Sequence, residues 1–226
     1  MDRVEIRDPA GGANQMGVRD HNERLVLSLV HRHGAIASAE IARRTGLSPQ
    51  TVSVILRKLE ADGLVRKGEP QRGKVGKPLT PVTLCPDGVL SFGLKIGRRT
   101  CDLVLMDLAG VLRDRKRLTY PYPTPKVILD FLRDGMEAIS SKLDEGQLGR
   151  LCGIGIAAPF ELWNWLDAVN ATPQEMDAWR GFEFAKEIKA FSNLRVHMIN
   201  DATAACAGEQ MFGHGRGLTD YAYVFV

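Results

Sequence analysis

The chain lacks any apolar run approaching the roughly 20 residues that cross a bilayer as a helix. Its first residues, MDRVEIRDPAGGANQ, carry acids and a proline where a signal peptide has an apolar centre. Neither a helical membrane protein nor a cleaved secretory leader is expected, and the expectation is a cytoplasmic protein with no membrane partner. Cysteine is sparse: Cys85, Cys101, Cys152 and Cys206 are far apart and form no C-x-x-C pair. Without ligand spacing or a disulfide framework they read as reduced packing residues, and no metal or cofactor is expected. Internal repeats and low-complexity segments are absent too, which excludes a solenoid. What remains is a soluble-type composition, 44% hydrophobic over 226 residues. That is enough to bury the core of a small domain and of a second one of about 130 to 140 residues.

Charge is spread unevenly. Residues 1–78 hold 14 Lys or Arg against 9 Asp or Glu, net +5, whereas residues 79–226 are net −2. A basic balance confined to one end is the electrostatic footprint of a module for a polyanion. The same end has helical punctuation. Residues 1–17, rich in charge, Gly and Asn, are expected to be an arm without fixed structure, and residues 18–87 a folded module. Leu25, Leu29 and Val30, with Val26 beside them, share a face of a first helix from about Val18 to His33, which Gly34 stops. Ala35 and Ile36 lead into a short second helix with Ser38 as N-cap, Ile41 and Ala42 inward and Gly46 at its end. Ser48 caps a third helix whose first turn takes Pro49. Val52, Ile55, Leu56 and Leu59 form its buried stripe, and Gln50, Thr51, Ser53, Val54, Arg57 and Lys58 are shared between its flanks and outer face. A hairpin follows, Leu64 to Lys67 and Val82 to Leu84, with Arg72, Lys74 and Lys77 on the Gly-rich backbone between its strands.

Three helices and a basic hairpin are the plan of a winged helix-turn-helix, which implies duplex DNA as a partner. In that plan Ser48, Gln50, Thr51 and Ser53 stand at the end of the third helix that meets base edges. Arg57 and Lys58 are placed for phosphates, and Arg72, Lys74 and Lys77 for phosphates or a minor groove.

From Val89 the pattern becomes α/β. VLSFGLKIG and CDLVLMDLAGVL read as strands joined at Gly97–Thr100, and a further strand runs from about Val111 to Thr119. Val127, Ile128, Phe131, Leu132, Met136 and Ile139 are at helical spacing, followed by the strand LCGIGIAAP. A helix near Phe184 to Ala190, the strand RVHMIN, and the small-residue helix DATAACAGEQMFG, expected to pack closely on a sheet, complete the unit, with a last strand at YAYVFV.

The succession GKP, CPDGVLSFGLKIG, DLAG, GIGIAAP, MDAWRGFEF and INDATAACAGE, behind a winged helix-turn-helix, resembles the ROK family of sugar-responsive repressors and sugar kinases. The resemblance implies an α/β fold in which residues 88–226 form the first lobe of an actin-like ATPase (ribonuclease H-like) fold. It implies that Asn200 and Asp201 bind sugar hydroxyls, with Pro159, Phe160, Glu161 and Trp163 shaping the pocket, while Asn200 and Asp201 also suit an N-cap and Trp163 and Trp165 suit packing. Glu209 fits a structural role. Kinases of the family carry an acidic Asp-x-Gly-Gly-Thr motif where this chain has Lys95-Ile96-Gly97-Arg98-Arg99, so loss of the metal partner predicts no phosphoryl transfer. The family pattern continues past YAYVFV with a second lobe and further sugar contacts. The expectation is an incomplete cleft that holds sugar weakly, in a shortened gene product or a fragment. The expected function is a homodimeric regulator, most often a repressor, of carbohydrate genes with a sugar or sugar-phosphate effector. The alternatives are a sugar kinase with an added DNA-binding head and a constitutive DNA-binding module.

Overall fold

Helix α1 (Gln15–His33) places Val26 and Val30 one turn apart, and both are fully buried in the N-terminal core. The computed structural model describes residues 15–69, 80–159, 161–162 and 176–224. They form two units that divide between Leu84 and Cys85. In the first, α1 is followed by β1 (Ala35–Ala37), α2 (Ser38–Thr45), α3 (Pro49–Ala61), β2 (Val65–Lys67) and β3 (Pro81–Leu84). This is a winged helix-turn-helix: β3 lies between β1 and β2 in a small antiparallel sheet.

Four local expectations are corrected. The first helix begins at Gln15, inside the expected arm, and its buried centre is Val26 and Val30, with Leu27 and Leu29 half-buried beside them. Leu25 is half-buried as well, outside that cluster. Ala35 and Ile36 do not enter a helix, because Ala35–Ala37 pairs with Pro81–Thr83, and that sheet partner lies more than forty residues away. The N-cap of α2 is accordingly Ala37, in extended backbone, and Ser38 is already helical.

The expected signals hold elsewhere in this unit. Gly46 sits at φ +70° and closes α2 through its N–H to the Ala42 carbonyl. Ser48 caps α3, and Val52, Ile55, Leu56 and Leu59 are its buried residues. At the other end of α3 the Leu64 N–H reaches the Leu59 carbonyl across Gly63, which sits at φ +73°.

The second unit is a five-stranded mixed sheet in the order β6-β5-β4-β7-β8. Strands β4 (Leu90–Ile96), β5 (Thr100–Asp107) and β6 (Leu112–Thr119) form an antiparallel meander. After helix α4 (Pro125–Ser140) and the single turn α5 (Glu145–Leu148), β7 (Leu151–Ala157) pairs parallel to β4. After α6 (Phe184–Ile188), β8 (Arg195–Ile199) pairs parallel to β7. Parallel neighbours need crossovers, and α4 and α6 lie within those crossovers. Strict alternation in β4 and β5 turns Phe92, Leu94, Leu103 and Leu105 to one face, where Ile128, Leu132, Met136 and Ile139 of α4 complete the core. Val127, 38% exposed, stays outside it.

The MDAWRGFEF segment is part of this core. Trp179, Phe182 and Phe184 interlock with ring centroids 4.8–5.6 Å apart, and Trp179 Nε1 donates to the Pro123 carbonyl at 2.9 Å. Edge-on aromatic packing of this kind stabilises beyond the area it buries.

Helix α7 (Asp201–Phe212) departs from expectation, since it buries none of its residues. Its small side chains give it no apolar stripe broad enough to seal the opposite face of the sheet. Its end is fixed instead by Phe212, whose ring fills the place a Cβ would take at Gly110 (φ +86°). The Glu209 carboxylate also accepts the His214 N–H at 2.5 Å. Tyr221–Val224 forms no strand; the Tyr221 hydroxyl donates to the Cys206 carbonyl at 2.7 Å and holds that segment on α7. All four cysteines are free. Cys101 is buried, which pushes its thiol up to about 12, but Cys152 is exposed on β7 and is not a packing residue.

Candidate functional site

The outer face of α3 is built from its first turn. Ser48 Oγ accepts the Thr51 N–H at 3.1 Å and lies 2.9 Å from Thr51 Oγ1, so both side chains hold the helix start in place. Gln50, Ser53, Val54 and Arg57 are exposed, at the i, i+3, i+4, i+7 spacing of one helix face. Arg57 Nε lies 3.4 Å from the Ser53 carbonyl, so its guanidinium is carried along the helix. Lys58 differs from the rest of the expected set. Its ammonium sits 2.6 and 2.7 Å from the Glu23 oxygens, and that bond holds the Glu23 carboxyl below its usual range. The pair ties α3 to α1. Arg72, Lys74 and Lys77 lie outside the described residues.

Two cations not singled out in the sequence close the helix that precedes α3. Arg43 and Arg44, in the last turn of α2, both bind Glu40, which is held down to about 2 by their hydrogen bonds, Arg43 first. Two guanidiniums on one carboxylate leave the end of α2 positive, the charge a phosphate requires.

In the second unit the face of the sheet away from α4 lines a cleft of about 640 Å³ together with Ala204 of α7. Strand register arranges its lining in two rows. One runs Arg117, Asp102, Lys95, Ala157, Ile199, and the next Arg115, Val104, Gly93, Gly155, His197. Asp102 binds Arg115 at 2.8 and 3.0 Å and Arg117 at 2.8 and 3.0 Å. The Arg117 hydrogen bond, then that of Arg115, holds the Asp102 carboxyl below its ordinary 3.8. A carboxyl whose pKa is depressed by folding contributes stability above its unfolded value, and that contribution is lost as pH falls through the folded value. Asp102→Asn is therefore expected to lower stability at neutral pH and to flatten its loss on acidification below 3.8. Urea midpoints followed by tryptophan fluorescence at a series of pH values check this.

The ends of β7 and β8 bring together three of the residues expected to hold sugar, Pro159, Asn200 and Asp201. Ala157 and Ile199 are register partners, and the Ala158 N–H reaches the Ile199 carbonyl at 3.2 Å, so Pro159 and Asn200 follow at one edge of the sheet. Asn200 Oδ1 accepts the Ala202 and Thr203 N–H groups at 3.0 and 3.3 Å, and Asp201 Oδ1 accepts the Ala202 N–H at 3.0 Å. Capping therefore uses one oxygen of each side chain and leaves an amide donor and a carboxylate acceptor at the strand ends. Glu161 follows Pro159 in the described chain, whereas Phe160, Trp163 and Trp165 lie outside the described residues. Among the described residues no group of three or more His, Cys, Asp or Glu could hold a metal ion, and no helix is long and apolar enough to cross a membrane.

The profile of the ROK family matches residues 91–226, from within β4 through α7. The chain belongs to the ROK family. Ahead of the ROK region, the MarR family profile matches residues 18–74, which take in most of α1 and run through β2. Among curated relatives, the xylose repressor of Bacillus subtilis (strain 168) is 26% identical over 95% of this chain and 55% of its own length. The DNA-binding transcriptional dual regulator NagC of Escherichia coli (strain K12) is 25% identical over 66% of this chain and 37% of its own. The DNA-binding transcriptional repressor Mlc of the same strain is 21% identical over 92% of this chain and 51% of its own. The chain thus spans about half the length of the curated relatives it matches. A crystal structure of a ROK family transcriptional regulator, a homologue of the E. coli MLC protein, superposes with a TM-score of 0.61 at 19% identity. It covers 89% of this chain and 50% of that one. That likeness establishes a shared fold across both units.

Two of the ROK motifs have structural work to do here. DLAG is the β5–β6 turn, where the Asp107 carboxylate accepts the Ala109 and Val111 N–H groups at 2.9 and 3.0 Å. MDAWRGFEF is the aromatic packing described above. The ROK residues with chemistry left to offer are those at the strand ends and in the two cleft rows.

Proposed function

We propose that this ROK chain is a DNA-binding transcriptional repressor of carbohydrate genes, acting in the cytoplasm as a homodimer. The observation that carries the proposal is the outer face of α3: Gln50, Ser53 and Arg57 exposed on a helix whose start is locked by Ser48 and Thr51, in the basic part of the chain. Gln50, Thr51 and Ser53 read base edges, while Ser48 fixes the helix start against the groove. Arg57, with Arg72, Lys74 and Lys77 of the wing, meets phosphates. Lys58 serves the same face as part of its pair with Glu23. A sugar or sugar phosphate is the effector, held by Asn200 and Asp201 with Pro159, Phe160 and Glu161 beside them. It acts by favouring an arrangement in which two heads no longer fit their half-sites. The relatives named as repressors, the xylose repressor of B. subtilis among them, support this reading.

Catalysis is not part of the proposal. Where family kinases carry an acid, Lys95 stands in one row with Asp102 and Arg117, and Asp102 is already shared by two guanidiniums. These residues do not fit a metal-bound nucleotide phosphate.

Fluorescence anisotropy on the DNA upstream of its own gene, over a salt series and with a panel of pentoses, hexoses and their phosphates, tests the proposal. Steep salt dependence and release by one sugar are expected. Arg57→Ala should weaken binding to every sequence alike and lower the salt slope by about one. Binding that ignores every sugar would remove the effector from the proposal, and no binding would overturn it. Transfer of phosphate from ATP to any hexose would overturn the non-enzymatic reading.

A further inference from the structure

Val54 has no role in the fold that accounts for its place. It lies on α3, about 150° around the helix from the middle of the buried stripe Val52, Ile55, Leu56 and Leu59, taking 100° per residue. Its side chain is 51% exposed. Among the described residues up to Leu84, Val18 is the other large apolar side chain so exposed. Being β-branched, valine also forms helix less readily than the alanine, lysine or glutamate that an outward helix position would otherwise take. Its neighbours on the same face, Gln50 and Arg57, are one turn before and one turn after it.

The major-groove edges of the bases are polar with one exception, the C5-methyl of thymine. An apolar side chain on the outer face of a recognition helix is therefore matched by one base feature. We infer that Val54 is a specificity residue of the DNA-binding face and packs against a thymine methyl in each half-site. The inference rests on the proposed DNA-binding function and deepens it. Gln50 lies one helical turn away, about 6 Å along the axis, roughly two base steps, and a glutamine there matches the N6 and N7 edge of adenine. The half-site read by this pair holds an adenine and, about two steps along, a thymine. Because helical side chains lean toward the N-terminus, Val54 covers the turn that carries Gln50, the end that enters the groove.

The probe is a duplex pool with 20 random base pairs, selected by the full chain. The recovered sequence is then resynthesised with uracil in place of thymine at each position in turn, which deletes one methyl and nothing else. The wild-type chain is expected to lose about fourfold in affinity at one position per half-site, the worth of one buried methyl. Val54→Ala should bind thymine and uracil duplexes equally there, with an unchanged or slightly raised melting temperature. Gln50→Ala should lose the adenine preference and keep the methyl effect. Indifference of the wild type to every methyl, or a methyl effect that survives in Val54→Ala, would overturn the inference while leaving DNA binding intact. A pool that yields no enriched duplex would overturn the DNA-binding reading itself, and the inference with it.

Discussion

Leu59→Ala is expected to cost the winged-helix unit about 2–5 kcal/mol, the range for truncating a buried leucine. Leu59 is 1% exposed and lies in the same core as Val26, Val30, Ile41, Val52 and Val65. It is the last residue of the α3 stripe, so its cavity would open between the recognition helix and its support. That core has little to spare. Before Cys85 the chain holds no Phe, Tyr or Trp, so the unit is closed by aliphatic side chains alone, and small domains bury a smaller fraction of their surface than large ones. A loss of this size is a large part of the stability such a unit can have. Ellipticity at 222 nm and tryptophan fluorescence separate the outcomes, because Trp163, Trp165 and Trp179 all belong to the second unit. An early loss of helix signal at unchanged fluorescence midpoint, together with loss of DNA binding, is expected. Coincident transitions and retained binding would show that Leu59 is not central to this core.

What could be read before the structure follows from the range of the physical signal. The α3 helix was legible because its cap, its Pro49 and its apolar stripe lie within thirteen residues. The β4–β5–β6 meander and α4 were legible for the same reason, as period two and period 3.6 both show within a short window. What was not legible depends on distant partners. β1 is extended because β3 pairs with it, and Lys58 meets Glu23 35 residues away. The α7 helix shows the reverse failure. DATAACAGEQMF has the small residues of a closely packed helix, yet it buries none of them, because composition permits close approach without compelling it. In the candidate sites the residues proposed to read bases were legible as a helix face, and Asn200 and Asp201 as a strand-end pair. The cationic rows of the cleft were not, since they exist only in the register that sets Lys95, Asp102 and Arg117 side by side.

Asp107→Ala is expected to cost the second unit about 2–4 kcal/mol, through two unpaired backbone donors and a broken ion pair. The Asp107 side chain is 1% exposed. Its Oδ1 takes the Ala109 and Val111 N–H groups at 2.9 and 3.0 Å, and its Oδ2 takes Arg113 Nε at 2.6 Å. These bonds hold the tight turn through Gly110, on which the Phe212 ring rests. Arg113 is 37% exposed and also lies 3.1 Å from Asp87, so water and Asp87 would take up much of what it loses. The hydrogen bonds to the turn therefore outweigh the charge. Asp107→Asn separates the two contributions, since its amide oxygen can still accept both N–H groups while the charge facing Arg113 is gone. The asparagine variant is expected to retain more than half of the stability that alanine loses, read from tryptophan-detected urea midpoints of the second unit. Equal losses in the two variants would mean that the ion pair, not the turn, is what the DLAG aspartate supplies.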